Sequence, residues 1–228
     1  KDATERGIEI VKAEKEFAGQ VKEAIWKFIR ENTSSVVAFD EASYLINGYG
    51  STPTSSEIDE LLGLLEGPWA GTKRLEELKE VSVTTRKLAI GEPYIDIVLL
   101  NTKGEKVMLS SLVPKDKYVM LEFWASWCGP CRREMPNLVE TYAKYKGKNF
   151  EIVGVSLDQD GAAWKEAIKK LDMTWPQMSD LKFWQSEGAQ LYAVNSIPHT
   201  VLIDGSGKII ARGLHGEELQ AKIAEAVK

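Results

Sequence analysis

The sequence predicts an α/β fold, with a central mixed β-sheet flanked by helices, preceded by an all-helical region. Residues 1–85 show helical periodicity without strand-like runs. In residues 86–228, apolar strand-like runs alternate with helical patterns, and a hairpin and a helix close the chain. That order is typical of a domain built on one sheet. We therefore predict two parts, residues 1–85 and residues 86–228.

Composition and charge limit the possible functions. With 228 residues, 43% of them apolar, the chain can bury a sizeable core. Residues 1–85 hold 10 basic and 16 acidic side chains, and the remainder holds 19 and 18. Neither part has the basic excess of a nucleic-acid-binding protein. No long uncharged apolar run occurs, so we expect no transmembrane segment. The first residues do not resemble a signal peptide, so we expect a targeting segment to have been removed or never present.

Four helices are predicted in the first part. They cover residues 4–30, a stretch ending near Ile46, a stretch from Thr54 to Gly67-Pro68, and residues 70–81. The apolar face of the first helix is assigned to Ile10, Phe17, Val21, Ala24 and Phe28. Thr54 and Glu57 have the spacing of a capping box. This part contains no cysteine or histidine, so we interpret it as an arm for packing or partner contact.

The second part contains the strands. The predicted elements are a hairpin (95–100 and 106–109), a turn-like link (110–113), strands at 118–124 and 150–157, helices from near Arg132 and over 160–171 and 185–192, a second hairpin (200–204 and 209–213), and a closing helix. Residues 173–184 have no clear period and stay unassigned. The strand at 118–124 is mostly apolar, as a strand covered on both faces requires.

The two cysteines of the chain lie together in Trp127-Cys128-Gly129-Pro130-Cys131, between the strand at 118–124 and a helix. This pattern predicts a dithiol redox site. A helix N-terminus favours negative charge, so the pKa of Cys128 should be depressed, in the range of roughly 3.5 to 7.5. Cys128 is therefore the predicted attacking thiolate, and Cys131 the resolving thiol. Gly129 allows another backbone to approach, and Pro130 fits the first helical turn.

Residues 117–136 resemble the active-site segment of the thioredoxin superfamily, and more closely that of envelope-located thiol-disulfide oxidoreductases related to TlpA and ResA. The resemblance covers about Ile90 to Val227. It implies a thioredoxin fold with an N-terminal hairpin and a central insertion at about 160–184. It also implies disulfide-containing protein substrates, an upstream electron-donor protein, and location in the periplasm or cell envelope. The cysteine count leaves the cytoplasm open as well. No cofactor or metal is expected beyond the redox-active disulfide of Cys128 and Cys131.

Two carboxyl groups are candidates for proton transfer. Glu122 interrupts a strand predicted to be buried, which should raise its pKa. It occupies the position of the buried acid of thioredoxins, usually Asp, so we predict that it accepts a proton from Cys131. The alternative is a strand-end Glu with its head in solvent. Glu134 matches a functional Glu of ResA-like proteins, although an acid in an early helical turn is also favoured by the helix dipole.

Substrate contacts are predicted on both sides of the dithiol. By resemblance, Pro198 is cis and faces the dithiol, and Ile197 offers its backbone groups to an extended substrate segment. A trans proline that merely begins a strand is the alternative. Trp127 is expected to be partly exposed beside Cys128, and Trp124 to lie in the core.

The same residues allow other functions. His199 and His215 could join the cysteines around zinc, but their spacing fits no zinc-finger or ribbon pattern, so no metal site is predicted. A peroxiredoxin site would have Thr where this chain has Ala125. A binding module with a vestigial dithiol stays open, as does an oxidase or isomerase, because direction depends on relative reduction potentials. The Gly129-Pro130 pair resembles that of reducing thioredoxins, and this resemblance implies a reductase.

Overall fold

The computed structural model describes residues 3–48 and 52–227, apart from the side chains of residues 3–8, 10, 11 and 15. This part of the chain forms two compact units, one ending at Ile90 and the other starting at Gly91. The sequence places the boundary after residue 85, and the fourth helix runs past that point to Lys87. No helix within the described ranges is long and apolar enough to cross a membrane.

The first unit is helical, as predicted. Its helices are α1 (Ala3–Glu31), α2 (Val36–Ile46), α3 (Ser55–Trp69) and α4 (Lys73–Lys87). The capping box is confirmed, because Glu57 N–H donates to the Thr54 hydroxyl (3.2 Å) and Thr54 N–H donates to the Glu57 carboxylate (2.8 Å). The predicted stop at Gly67-Pro68 is wrong. Trp69 extends the helix, and its indole N–H donates to the Thr33 carbonyl (2.8 Å).

The predicted apolar face of α1 is also wrong. Phe17, Val21 and Phe28 are exposed, by 68%, 40% and 38%, and the Ile10 side chain lies outside the described residues. Among the described side chains of α1, the buried ones are instead Trp26 and Ile29, which pack into a core with residues of α2, α3 and α4. The described side chains that meet this core lie in the last turns of α1, so periodicity over the whole length of the helix did not identify the contact face.

The second unit is built on a mixed sheet, which confirms the predicted fold class. Its strands, within the described ranges, are β1 (Val98–Asn101), β2 (Lys106–Met108), β3 (Tyr118–Trp124), β4 (Phe150–Ser156), β5 (Gln177–Ser179), β6 (His199–Ile203) and β7 (Ile209–Arg212). Their order is β2-β1-β5-β4-β3-β6-β7. β3, β4 and β5 are parallel to one another, and the remaining neighbouring strands pair antiparallel. The central position of β3 explains why it is buried from Val119 to Trp124.

Helices flank this sheet. They are α5 (Leu109–Leu112), α6 (Gly129–Tyr145), α7 (Gly161–Lys170), α8 (Glu187–Leu191) and α9 (Gly216–Ala226), with a 3₁₀ turn at Phe183–Gln185. α6 begins at Gly129 rather than near Arg132, so the dithiol lies at its first turn. The predicted link at 110–113 is largely the short helix α5, and the unassigned segment contains β5.

The outer edge of β7 is covered by the segment that begins the second unit. Ile209 N–H donates to the Glu92 carbonyl, and the Ile209 carbonyl accepts from Gly91 N–H, both at 2.8 Å. Tyr94 N–H donates to the Gly207 carbonyl at 2.9 Å. These bonds satisfy backbone groups that an edge strand would otherwise leave unpaired.

Candidate functional site

The two cysteines lie where the central strand meets a helix. Cys128 is the N-cap of α6 and is joined to Cys131 by a disulfide bond, with Cα atoms 5.3 Å apart. Cys131 N–H points at the Cys128 sulfur, with N and S 3.1 Å apart. Free backbone N–H groups and the helix dipole both favour negative charge at this position. Cys128 is 4% exposed and Cys131 is fully buried, so Cys128 is the sulfur nearer to solvent.

A buried carboxylate holds the loop between β3 and α6. Asp158 accepts hydrogen bonds from Ser126 N–H (3.0 Å) and the Ser126 hydroxyl (2.5 Å). The Ser156 hydroxyl donates to the same carboxylate at 2.7 Å. Sequence reasoning missed this network. A signal was present, since Asp158 follows the end of a buried strand that runs parallel to β3, and such ends lie at one edge of a sheet.

The Ile197-Pro198 segment lies beside the dithiol. The Ile197 carbonyl oxygen is 3.7 Å from the Cys128 sulfur, and the Ile197-Pro198 peptide bond is cis, the isomer that the resemblance implies. Both residues are half-buried, while Gly129 and Pro130 are exposed at the start of α6. The predicted substrate-contact residues therefore border the same sulfur from two sides.

Three aromatic side chains form a cluster next to Cys128, here called the aromatic cluster: Trp127, Phe183 and Trp184. Trp127 is 48% exposed, as expected, and its ring centroid lies 5.1 Å from that of Phe183 and 6.4 Å from that of Trp184. Phe183 has a φ of 56°, which is unfavourable for a bulky residue. Sequence reasoning missed Phe183 and Trp184, because their segment has no period. Trp124 is fully buried, as expected.

Glu122 is buried in β3. It is 1% exposed, and neither carboxyl oxygen has a hydrogen-bond partner among the residues described, so the solvent-facing alternative is wrong. Burial raises the pKa of Glu122 to about 8, and the negative charge of Glu134 adds to this shift. A carboxyl group of this kind can hold or release a proton near neutral pH.

Gln177 shares the sheet row of Glu122. Glu122 pairs with Gly154 of β4, and Gly154 pairs with Gln177 of β5. The Gln177 amide occupies the space that a side chain at position 154 would need, since a Cβ there would lie 2.2 Å from Oε1. Trp124 donates its indole N–H to this Oε1 at 3.0 Å. Gln177 lies in the segment left unassigned from the sequence.

Glu134 contacts a second helix. Its carboxylate accepts a hydrogen bond from Gly216 N–H at 3.0 Å, at the first residue of α9. Glu134 lies beyond the first turn of α6, so the dipole of α6 is not what its carboxylate meets. The side chain instead satisfies a free N–H of α9 and places its charge close enough to raise the pKa of Glu122.

The two histidines do not converge with the cysteines. His199 lies on β6 opposite Phe123 of β3, so its side chain is on the face of the sheet opposite to Glu122. Burial and the positive charge of Arg212 lower the pKa of His199 to about 4. His215 precedes α9 as its N-cap. Over the described ranges, no group of three or more His, Cys, Asp or Glu side chains is arranged to hold a metal ion.

Known proteins share the second unit. Residues 90–212 match the AhpC/TSA family. The thiol-disulfide oxidoreductase ResA of Bacillus thuringiensis is 34% identical over 142 residues, which cover 62% of this chain and 79% of that protein. A thiol-disulfide oxidoreductase structure from Bacteroides fragilis is 39% identical with a TM-score of 0.55, and the match covers 59% of this chain and 98% of that chain.

A further solved structure contains this unit alone. The thioredoxin domain of a thiol-disulfide oxidoreductase from Bacteroides vulgatus is 35% identical with a TM-score of 0.57, covering 62% of this chain and 99% of that one. In both solved structures, nearly the whole matched chain corresponds to the second unit. The chain therefore belongs to the AhpC/TSA family of the thioredoxin superfamily, and within it to the thiol-disulfide oxidoreductases related to ResA.

Proposed function

We propose that this enzyme reduces disulfide bonds in other proteins through Cys128 and Cys131. The observation that carries the proposal is the position of Cys128, whose sulfur lies at the N-terminus of α6 with Cys131 N–H at 3.1 Å. This placement favours the thiolate, which is the attacking form in disulfide exchange. The family of the chain supports the same chemistry.

The cycle has two exchange steps. The Cys128 thiolate attacks one sulfur of the substrate disulfide, forms a mixed disulfide, and displaces the other substrate sulfur as a thiolate. Cys131 then loses its proton and attacks the Cys128 sulfur. This second attack breaks the mixed disulfide, releases the second substrate thiolate and forms the Cys128–Cys131 disulfide. Two electrons have passed to the substrate, and an electron-donor protein returns two electrons to the dithiol.

Glu122 is the proposed acceptor of the Cys131 proton. Burial raises the pKa of Glu122 to about 8. An unperturbed thiol has a pKa of about 8.5. Burial raises the pKa of a thiol further, so the raised pKa of Glu122 narrows the difference in proton affinity between the two groups and lowers the free-energy cost of the transfer. Glu134 acts through its charge, which strengthens the affinity of Glu122 for the proton.

The substrate is held by backbone and aromatic groups. We propose that an extended substrate segment pairs with the backbone N–H and C=O of Ile197, beside Pro198, in the manner of strand addition. The distance of 3.7 Å between the Ile197 oxygen and the Cys128 sulfur supports this placement. Trp127 offers apolar surface, and the exposed Gly129 and Pro130 leave room for the substrate backbone. No cofactor or metal is part of the proposal.

We propose the periplasm or cell envelope as the location. The proposal follows from the similarity to the envelope-located TlpA and ResA group. Fractionation of the source cells, followed by immunoblotting, tests it, and recovery in the cytosolic fraction would contradict it.

Reduction of insulin disulfides tests the proposed reaction. The reduced protein should reduce insulin, and Cys128→Ser should lower the rate by at least about a hundredfold because the nucleophile is gone. Cys131→Ala should retain attack and accumulate a mixed disulfide with insulin. Failure of the wild-type protein to reduce insulin would favour the alternative of a binding module with a vestigial dithiol.

The reduction potential tests the direction. Equilibration with glutathione should give a potential near that of thioredoxin, about −270 mV, as expected for a reductase. A potential near −120 mV, the value of a strong oxidant, would favour the oxidase instead.

A further inference from the structure

A side chain at position 154 and the Gln177 side chain would occupy the same space on one face of the sheet. The ideal Cβ position of Gly154 lies within 2.6 Å of three atoms at the end of the Gln177 side chain. Because Gly154 has no side chain, the Gln177 amide can lie over β4 instead of remaining over its own strand. This brings the amide onto the strand that pairs directly with β3 at Glu122.

The orientation of this amide is fixed by Trp124. An indole N–H can only donate, so the amide atom that meets it must be the oxygen. The Trp124 Nε1 to Gln177 Oε1 distance is 3.0 Å, and both side chains are buried. The Gln177 Nε2 group therefore points elsewhere. It is a buried donor without a hydrogen-bond partner among the residues described.

Glu122 is the complementary group. Its two buried oxygens likewise lack partners within the described ranges, and it lies in the same sheet row, one strand away from Gly154. A buried donor and a buried acceptor left unpaired each cost free energy. In this row only Gly154 lies between the two side chains. The Gln177 amide is therefore placed to donate to the Glu122 carboxyl group when that group ionises.

We propose that Gln177 is a positioning residue for Glu122, donating its Nε2 hydrogen bond, directly or through one water molecule, to the carboxylate form. The inference rests on the proposed role of Glu122 as proton acceptor for Cys131. Without such a donor the carboxylate would be buried and unsolvated, and a smaller fraction of Glu122 would be ionised near neutral pH. With it, a fraction of Glu122 is ionised near neutral pH and can accept the proton.

The charges around Glu122 act in the opposite direction. Glu134 of α6 disfavours the ionised form. Cys131, also on α6, carries negative charge once it becomes a thiolate. The row partners in β4, β5 and β6 are Gly154, Gln177 and Thr200, which are uncharged. The Thr200 hydroxyl already donates to the Leu214 carbonyl at 2.7 Å, so among the described residues of this row Gln177 offers the unpaired donor that can offset Glu134.

The experiment measures the titration of Glu122 in the oxidised 228-residue chain, by NMR of ¹³C-labelled glutamate carboxyl groups. The Glu122 signal is assigned by its loss in Glu122→Gln. Gln177→Met, which keeps the length of the side chain, should move the midpoint upward by about one pH unit, as expected for loss of one hydrogen bond to a charge. Gly154→Ala should move it in the same direction, because the new Cβ displaces the amide.

Ser179→Ala is the matched control, since it removes another buried polar group from β5 without touching the amide. The Glu122 titration midpoint in Ser179→Ala should equal that of the wild type. An unchanged midpoint in Gln177→Met and Gly154→Ala overturns the proposal, as does an equal shift in Ser179→Ala. If Gln177→Met does not fold, Gly154→Ala decides.

A kinetic measurement separates this proposal from the proposed function. The pH profile of mixed-disulfide resolution should shift upward in Gln177→Met, and should not shift further when that change is added to Glu122→Gln. If the carboxyl titration moves but the resolution profile does not, the contact between Gln177 and Glu122 is supported. That same result overturns the role of Glu122 in resolution.

Discussion

The Glu122 carboxyl group lies in a central strand, where it has lost hydration without a direct hydrogen bond from any described residue in return. Its pKa is raised from the ordinary value of 4.5 to about 8, first by burial and then by the charge of Glu134. In the unfolded chain this carboxyl group ionises near its ordinary pKa. The unfolded state therefore releases a proton that the folded state keeps, and folding becomes less favourable as pH rises between these two values.

Glu122→Gln should remove this pH dependence. Below about pH 4 both states are protonated and the wild type loses nothing, whereas by pH 9 the loss in unfolding free energy reaches about 5 kcal/mol. The stability of the variant relative to the wild type should therefore increase with pH over this range. Urea unfolding of the oxidised proteins at pH 4, 7 and 9 measures it, with the exposed Glu140→Gln as control. A constant difference across the three pH values would contradict the raised pKa.

Cys128 should be the reactive thiol of the reduced protein. Because it caps α6, its alkylation by iodoacetamide should follow a midpoint below the value of about 8.5 for a free thiol. Cys131, which is fully buried, should react more slowly at every pH. Mass spectrometry of the alkylated peptides over pH 4 to 10 assigns each rate. A midpoint near 8.5 for Cys128 would show that the N-terminus of α6 does not lower the pKa of this thiol.

Single residues were predictable where their neighbours in the sequence indicate their role. The pair Cys128 and Cys131 is a local pattern, and Glu122 stands out as an acid in an apolar strand. Gln177 and Asp158 were not predictable in this way. Gln177 lies on β5 and Asp158 just after β4, and the partner of each is set by strand order and register rather than by spacing along the chain.

At the scale of elements, Glu134 joins two helices. Glu134→Ala should lower the unfolding free energy by about 1 kcal/mol, because the first N–H of α9 loses its acceptor. Glu140→Ala, on the same helix and exposed, should change it by less than about 0.5 kcal/mol. Urea unfolding compares the two, and faster amide exchange at Gly216 should accompany the first. Equal effects of both substitutions would show that the contact with α9 does not stabilise the fold.

Glu134→Gln separates the charge from the hydrogen bond. The amide oxygen can still accept from Gly216, so stability should largely be kept. The negative charge that raises the pKa of Glu122 is gone, so that pKa should fall. The Glu122 carboxyl titration measures this shift, and an unchanged midpoint would exclude an electrostatic role for Glu134.

Elements were predicted well where local signals agree with packing. The capping box of α3 and the apolar run of β3 are such cases. The end of α3 was not predicted correctly, because the Trp69 indole N–H donates a hydrogen bond to the carbonyl of Thr33, which is distant in sequence. The three-residue strand β5 was missed for a similar reason, since it exists through pairing with β4 and β1.

On the scale of the whole molecule, the second unit should work alone. The matched Bacteroides structures consist almost entirely of this unit. A fragment starting at Gly91 should reduce insulin at a rate within about twofold of the full chain, since compact domains generally fold independently. Circular dichroism checks its folding. A folded fragment with a tenfold lower rate would instead assign a role in the reaction to residues 1–90.

The starting point of such a fragment matters because of the bonds between residues 91–94 and the last strand of the sheet. A fragment cut after Tyr94 would keep every candidate site residue but leave β7 with unpaired backbone groups facing solvent. Such a strand invites another copy of the chain to pair with it. A four-residue difference in where the fragment begins should thus separate a monodisperse preparation from one that precipitates.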